Sequence, residues 1–152
     1  MNVRHPEITE HTSLRAHAVD KADELGELIA EVLELAYAQE LTEHLGYTRH
    51  ARTDGKKQNA RNGSYAKTLH TSVGAVTVSI PRDRNGTFVP ALVPKGQRHA
   101  HALEAHLMAM LLTGAGVEDV ESRLGELYGD QMTWGGVREL ARKVHEALGR
   151  WG

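Results

Sequence analysis

The spacing of apolar residues changes twice along this 152-residue chain, and that change does most to limit its fold. Leu25, Leu28, Ile29, Val32, Leu35 and Ala36 recur at helical spacing, and Leu41 and Leu45 extend the stripe. Val76, Val78 and Ile80 instead alternate with Thr77 and Ser79, the period of a strand with one buried face. Helical spacing then returns in three sets: Leu103, Leu107, Met110 and Leu111; Val117, Val120, Leu124 and Leu127; and Val137, Leu140, Val144 and Leu148. A helix-period run cannot serve as a half-buried strand, nor the reverse. The expected class is therefore α+β, mainly α: an N-terminal amphipathic helix, a small antiparallel β unit, and C-terminal helices of helix-turn-helix type.

Punctuation sets the expected boundaries. Residues 1–19 show no period and are expected to fray. The first helix is expected over 20–46, with Gly46 as its stop. Residues 47–101 form a basic loop and the β unit, and residues 102–152 the helical end. Thr48 to Ser64 has almost no apolar residue and reads as a mobile basic loop. Lys67 to Ser72 is a plausible partner strand, with a turn near Val73-Gly74. Thr87 to Val93, after the Asn85-Gly86 turn, is expected as a short third strand that Pro90 confines to an edge. Thr133 is expected to cap the last helix.

The net charge is only −2, but the charge is segregated. Met1 to Gly46 carries three basic and ten acidic residues, Tyr47 to His101 ten basic and two acidic, and Ala102 to Gly152 five basic and eight acidic. A basic middle segment points to a polyanionic partner. The other reading is a basic segment neutralised by the acidic helix of the same fold. The Leu25 to Leu45 stripe likewise has two readings, a packed face or a homodimer interface. The chain has no cysteine, which excludes disulfides and cysteine-based metal sites. No apolar run approaches the roughly 18 residues of a membrane span, and the N-terminus lacks the apolar centre of a signal peptide. A cytoplasmic protein without membrane contact is expected. His99, His101 and His106 cluster, but His99 and His101 fall at a loop–helix junction, and no metal is assigned to them.

Three stretches, LTEHLGYTRHAR (Leu41 to Arg52), ARNGSYAKTLHTSVGAVTVSIPRDRNGTFVPALVPKGQR (Ala60 to Arg98) and VEDVESRLGELYG (Val117 to Gly129), together resemble the Mutator-type transposases of bacterial insertion sequences. The likeness runs from about Glu40 to the end of the chain, and its central stretch is the most specific. It implies a protein that binds the terminal inverted repeats of a transposable element. In that family, strand cutting and joining use an acidic triad and a divalent metal such as Mg in a later domain. None of that triad falls on this sequence, so no catalytic residue and no cofactor is expected here. The chain is expected to be an N-terminal portion that stops before the catalytic domain and is inactive alone. A stand-alone repressor and a non-functional remnant are the alternatives. The sequence departs from the family at Gly116-Val117-Glu118 and at Trp134-Gly135-Gly136, where a basic residue and a polar base-reading face would be expected.

Double-stranded DNA is thus the expected partner. Lys56, Lys57, Arg61, Asn62, Lys67, Arg82, Arg84, Arg98, Arg138 and Arg142 are the residues expected to meet it. Gly63 permits close backbone approach to a phosphate. Arg82 and Arg84 would share one face, with Asp83 opposite and bonded to turn N–H groups. Arg138 and Arg142, four residues apart, would share a helix face; a solvated surface with a local Glu139–Lys143 pair is the alternative.

Overall fold

The computed structural model describes residues 6–48, 59–94 and 96–151. Its elements are α1 (Pro6–Leu45), β1 (Arg61–Thr71), β2 (Gly74–Asp83), α2 (His101–Thr113), α3 (Val117–Tyr128) and α4 (Trp134–Arg150), with a 3-10 turn over Gly129–Gln131. The chain is therefore mainly helical, with a two-stranded antiparallel sheet. No helix among the described residues is long and apolar enough to cross a membrane.

α1 is the central post, and it begins before the expected Asp20. Its middle is wrapped on several sides: Leu28, Ile29, Val32, Leu33, Ala36, Tyr37 and Leu41 are all buried. β2 packs on one side of it and α4 on another. The Leu25 to Leu45 stripe is thus largely packed inside the fold, with Leu25, Leu35 and Leu45 half-buried. Gly26 lies where α1 meets the hairpin; a Cβ there would come 3.2 Å from a Val76 methyl. The helix ends at Gly46, whose φ of 83° suits glycine and whose N–H bonds to the Thr42 carbonyl at 2.9 Å.

The hairpin follows the alternation in the sequence. Leu69, Val78 and Ile80 are buried, while Ala66, Thr68, Thr77 and Ser79 are exposed. Two differences from expectation have clear causes. β1 begins at Arg61 rather than Lys67, so Arg61 to Ser64 belong to the sheet and not to a loop. They join it through a bulge at Asn62-Gly63, where the register shifts and Gly63 takes a φ of 68°. The expected third strand over Thr87 to Val93 does not form. The N–H groups of Thr87 and Phe88 bond to the Asp83 carboxylate, and those of Ala91 and Leu92 to Glu40. A strand needs those donors for its ladder, and here carboxylates have taken them.

The C-terminal helices bury most of their expected stripes, though Val117 at the start of α3 is exposed. α3 buries Val120, Leu124 and Tyr128; α4 buries Val137, Leu140, Ala141, Val144 and Ala147. Thr133 caps α4, its hydroxyl accepting from the Gly136 N–H at 3.1 Å. The same hydroxyl donates to Glu43 of α1 at 2.7 Å. A Cβ on Gly136 would lie 1.9 Å from the Glu43 carboxylate, so glycine there lets α1 reach the start of α4. Glu104 of α2 accepts from the Ser72 N–H and hydroxyl, at 2.9 and 2.8 Å, tying the hairpin turn to that helix.

Glu40 joins three parts of this frame. It is buried, accepts the Ala91 and Leu92 N–H groups, and accepts the Tyr128 hydroxyl at 2.9 Å. Burial raises its pKa, and these hydrogen bonds offset the rise only partly. A raised carboxylate pKa means that burial penalises the charged form more than these bonds offset it. Glu40→Gln, a neutral isostere, is therefore expected to stay within about 1 kcal/mol of the parent at pH 7. Glu40→Ala strands buried donors and should cost about 2–3 kcal/mol. Urea unfolding of the two variants checks the contrast.

Candidate nucleic-acid interface

The stretch SIPRDRNG ends β2 and turns around Asp83. Asp83 is 4% exposed and heavily bonded. Its carboxylate accepts from Asn59 Nδ2 at 2.8 Å, from the Thr87 hydroxyl at 2.7 Å and from the Thr87 and Phe88 N–H groups at 3.1 and 3.0 Å. His44 Nε2 lies 3.3 Å from the same carboxylate and 2.9 Å from the Thr87 hydroxyl oxygen. Asp83 is a turn residue, as its place in the sequence suggests, and it holds more of the fold than one turn.

Its neighbours point the other way: Arg82 and Arg84 are both exposed. Arg82 lies over the Tyr65 ring, 4.8 Å from its centroid. The Arg84 N–H bonds to the Ala60 carbonyl at 2.7 Å, and its side chain makes no ion pair among the described residues. Neither arginine is neutralised by a described residue of α1. The α1 carboxylates go elsewhere: Glu34 accepts the Ser79 N–H at 2.8 Å, Glu31 pairs with Arg150, and Glu40 and Glu43 act as described above.

Along the outer edge of β1 runs a groove lined by Tyr65, Lys67, Arg82 and Arg98 among others. Three basic residues from separate stretches of sequence meet there. The segment after Gly96 is brought in by the His70 N–H, which bonds to the Arg98 carbonyl at 2.7 Å. Burial lowers the Lys67 ammonium below its ordinary value, and the Arg98 guanidinium lowers it further. Like charges held this close favour an anion between them. Beside Arg98, the His99 and His101 rings stack at 4.8 Å, and His70 lies 5.6 Å from His99.

The other expected contacts fall elsewhere. Arg61 is used within the fold, donating to the Thr42 hydroxyl and the Tyr47 carbonyl at 3.0 and 3.2 Å and stacking over Tyr47. Asn62 is exposed in the bulge. Lys56 and Lys57 lie outside the described residues. On α4, Arg138 faces Glu121 at 3.9 Å, while Arg142 pairs with Glu139 at 2.8 Å and Glu146 at 3.9 Å. The Glu139–Lys143 pair expected as an alternative is present at 3.9 Å. His106 turns to α3, near Arg123 and Glu126, away from His99 and His101.

Sequence reasoning missed Tyr65 and Asn59. Tyr65 had a signal, as an aromatic residue inside the most basic segment. Asn59 had little: its side-chain oxygen Oδ1 accepts the Ala60 and Asn85 N–H groups, and only the folded chain brings Asn85 to it.

The architecture is that of a small helical domain carrying a β-hairpin with a cationic edge. A model of the family described as "Transposase, Mutator family" matches residues 3–152, and the chain belongs to that family. It is 35% identical over 112 residues to a probable transposase for insertion sequence element ISRM3-like of Sinorhizobium fredii, covering 74% of this chain and 27% of that protein. It is 36% identical over 112 residues to the ISRM3 transposase of Rhizobium meliloti, with the same coverage, 74% and 27%. With the IS905 transposase of Lactococcus lactis it shares 33% identity over 107 residues, 70% of this chain and 27% of that protein. The chain thus spans about a quarter of the length of these relatives.

The Asp83 turn should fail in acid. Burial raises its carboxyl pKa, but the bonds from Asn59, Thr87 and Phe88 outweigh that and hold it well below the usual range. A depressed folded pKa gives stability that is full above the unfolded value near 3.9 and is lost as pH falls toward the folded one. Asp83→Asn should flatten this part of the stability profile between about pH 5 and pH 2. Urea midpoints measured across that range check it; a parallel slope in parent and variant would contradict it.

Proposed function

We propose that this chain is a DNA-binding part of a transposase and that it grips duplex DNA through the groove beside β1. The carrying observation is the convergence of Lys67, Arg82 and Arg98 on one edge, with Arg84 exposed next to it. Each cation placed on a phosphate releases counterions, which drives binding without regard to sequence. Arg82 rests on Tyr65 and so loses less side-chain freedom on binding. The family's DNA is that of insertion elements, and terminal inverted repeats are the ligand this reading calls for. The role proposed for these residues is binding; the strand transfer and divalent metal of the family are assigned to none of them. Arg138 and Arg142 are given a minor part, because each lies beside glutamates that a phosphate would have to displace.

The test is the salt dependence of duplex binding by the parent chain and by Lys67→Ala/Arg82→Ala/Arg98→Ala. Log affinity against log salt should flatten by about 0.9 per lost phosphate contact, about 2 to 3 for the triple variant. Arg138→Ala/Arg142→Ala should change it by less than about 1. Equal slopes in parent and triple variant, with circular dichroism showing an intact fold, would remove the groove from DNA binding.

A further inference from the structure

We infer that the outer face of the β1–β2 hairpin enters the major groove and reads base edges there. This rests on the DNA-binding reading above, but on different residues. The register pairs Ser64 with Pro81, Ala66 with Ser79, Thr68 with Thr77 and His70 with Ala75. These residues share one face, and all are exposed except half-buried Pro81. The face is made of hydroxyls, methyls and one imidazole, without a charged residue. That is unusual in a chain that is 25% charged, because exposed sheets are commonly guarded by lysine and other charges. The inner face already packs on α1, so the outer one is not needed for the core.

The size and chemistry fit a duplex. Two strands about 4.8 Å apart, with their side chains, make a ribbon about 10 Å across, and the major groove is about 12 Å wide. Hydroxyls can donate to or accept from any base edge, and small methyls can meet the thymine methyl. Two-stranded ribbons are an established means of reading a groove. The cationic groove supplies the complementary charge at the flank: its lining includes Ala66 and Thr68 as well as Lys67, Arg82 and Arg98. A phosphate strand held along β1 would lie beside the outer face. At the β2 side Glu34, bonded to the Ser79 N–H, lines a depression with Ser64, Ser79, Pro81, Glu139 and Lys143. The two carboxylates of that depression favour an approach in which β1 faces the phosphates.

The α4 alternative is weaker on the same grounds. The start of α4 is closed by Thr133 and Glu43, and its exposed Trp134 adjoins Glu118, Glu121 and Glu126. A carboxylate at that helix end repels the phosphate that a reading helix would approach.

The experiment selects duplexes from a random pool with the full chain and with Ser64→Ala/Thr77→Val/Ser79→Ala, none of which lines the cationic groove. The threonine replacement keeps β-branching, and all three remove only hydroxyls. Thermal melts verify that the variant folds. The parent should enrich a motif. The hairpin variant should keep its affinity for random duplex and its salt slope, yet lose about tenfold or more of its preference for that motif. An unchanged motif and preference, or a parent that enriches none, overturns the inference while leaving duplex binding intact. A parent that binds no duplex instead sinks the DNA-binding reading itself. A parent that forms dimers abolished by the hairpin substitutions, with the motif preference unchanged, would assign the face to a second copy and also overturns the inference.

Discussion

The fold depends on two carboxylates that take backbone N–H groups from a segment without regular structure. Asp83 holds Thr87 and Phe88; Glu40 holds Ala91 and Leu92. Without these bonds the connection from hairpin to α2 would have to form a strand, find water, or leave donors unpaired. With them it stays pinned to the end of β2 and the middle of α1. That placement carries Arg98 back to the edge of β1, into the groove that Lys67 of β1 and Arg82 of β2 also line.

The charge segregation has a structural meaning that its totals conceal. The acidic N-terminal part does not cancel the basic middle. Glu34, Glu40, Glu43 and Glu31 bond to backbone donors, to Thr133 and Tyr128, or to Arg150, and Glu24 pairs with Lys21. The cations of α4 face local glutamates, whereas in the hairpin groove Lys67 faces Arg98 and Arg82 lies over Tyr65. The same residue types thus sit in two electrostatic settings. Surface pairs such as those on α4 are each worth only about 0–1 kcal/mol. They do set how much positive field the helix projects.

Periodicity made the regular elements legible. The stripes of α2, α3 and α4 and the alternation of β2 follow directly from apolar spacing, and the Thr133 cap from its place before a stripe. Contacts between distant residues were not legible. Thr87 to Val93 looks like a strand because local composition says nothing about Asp83 or Glu40 taking its donors. Arg61 looks like a loop cation because the Asn62-Gly63 bulge, which lets β1 start there, leaves no apolar alternation. In the site, Arg82 and Arg84 could be read from the turn. Their joining with Lys67 and Arg98 could not, since it needs the chain to return along β1 after some thirty residues. The departure at Trp134-Gly135-Gly136 gains a reason only in three dimensions: Gly136 makes room for Glu43.

The pinned segment also separates order from secondary structure. Amide hydrogens exchange with solvent when their bonds open, and slow exchange is usually taken as the mark of a helix or strand. The amides of Phe88 and Ala91 belong to neither, yet each is bonded to a carboxylate buried in the fold. Their exchange should therefore follow the opening of β2 and α1, with the irregular connection opening together with the hairpin it holds in place.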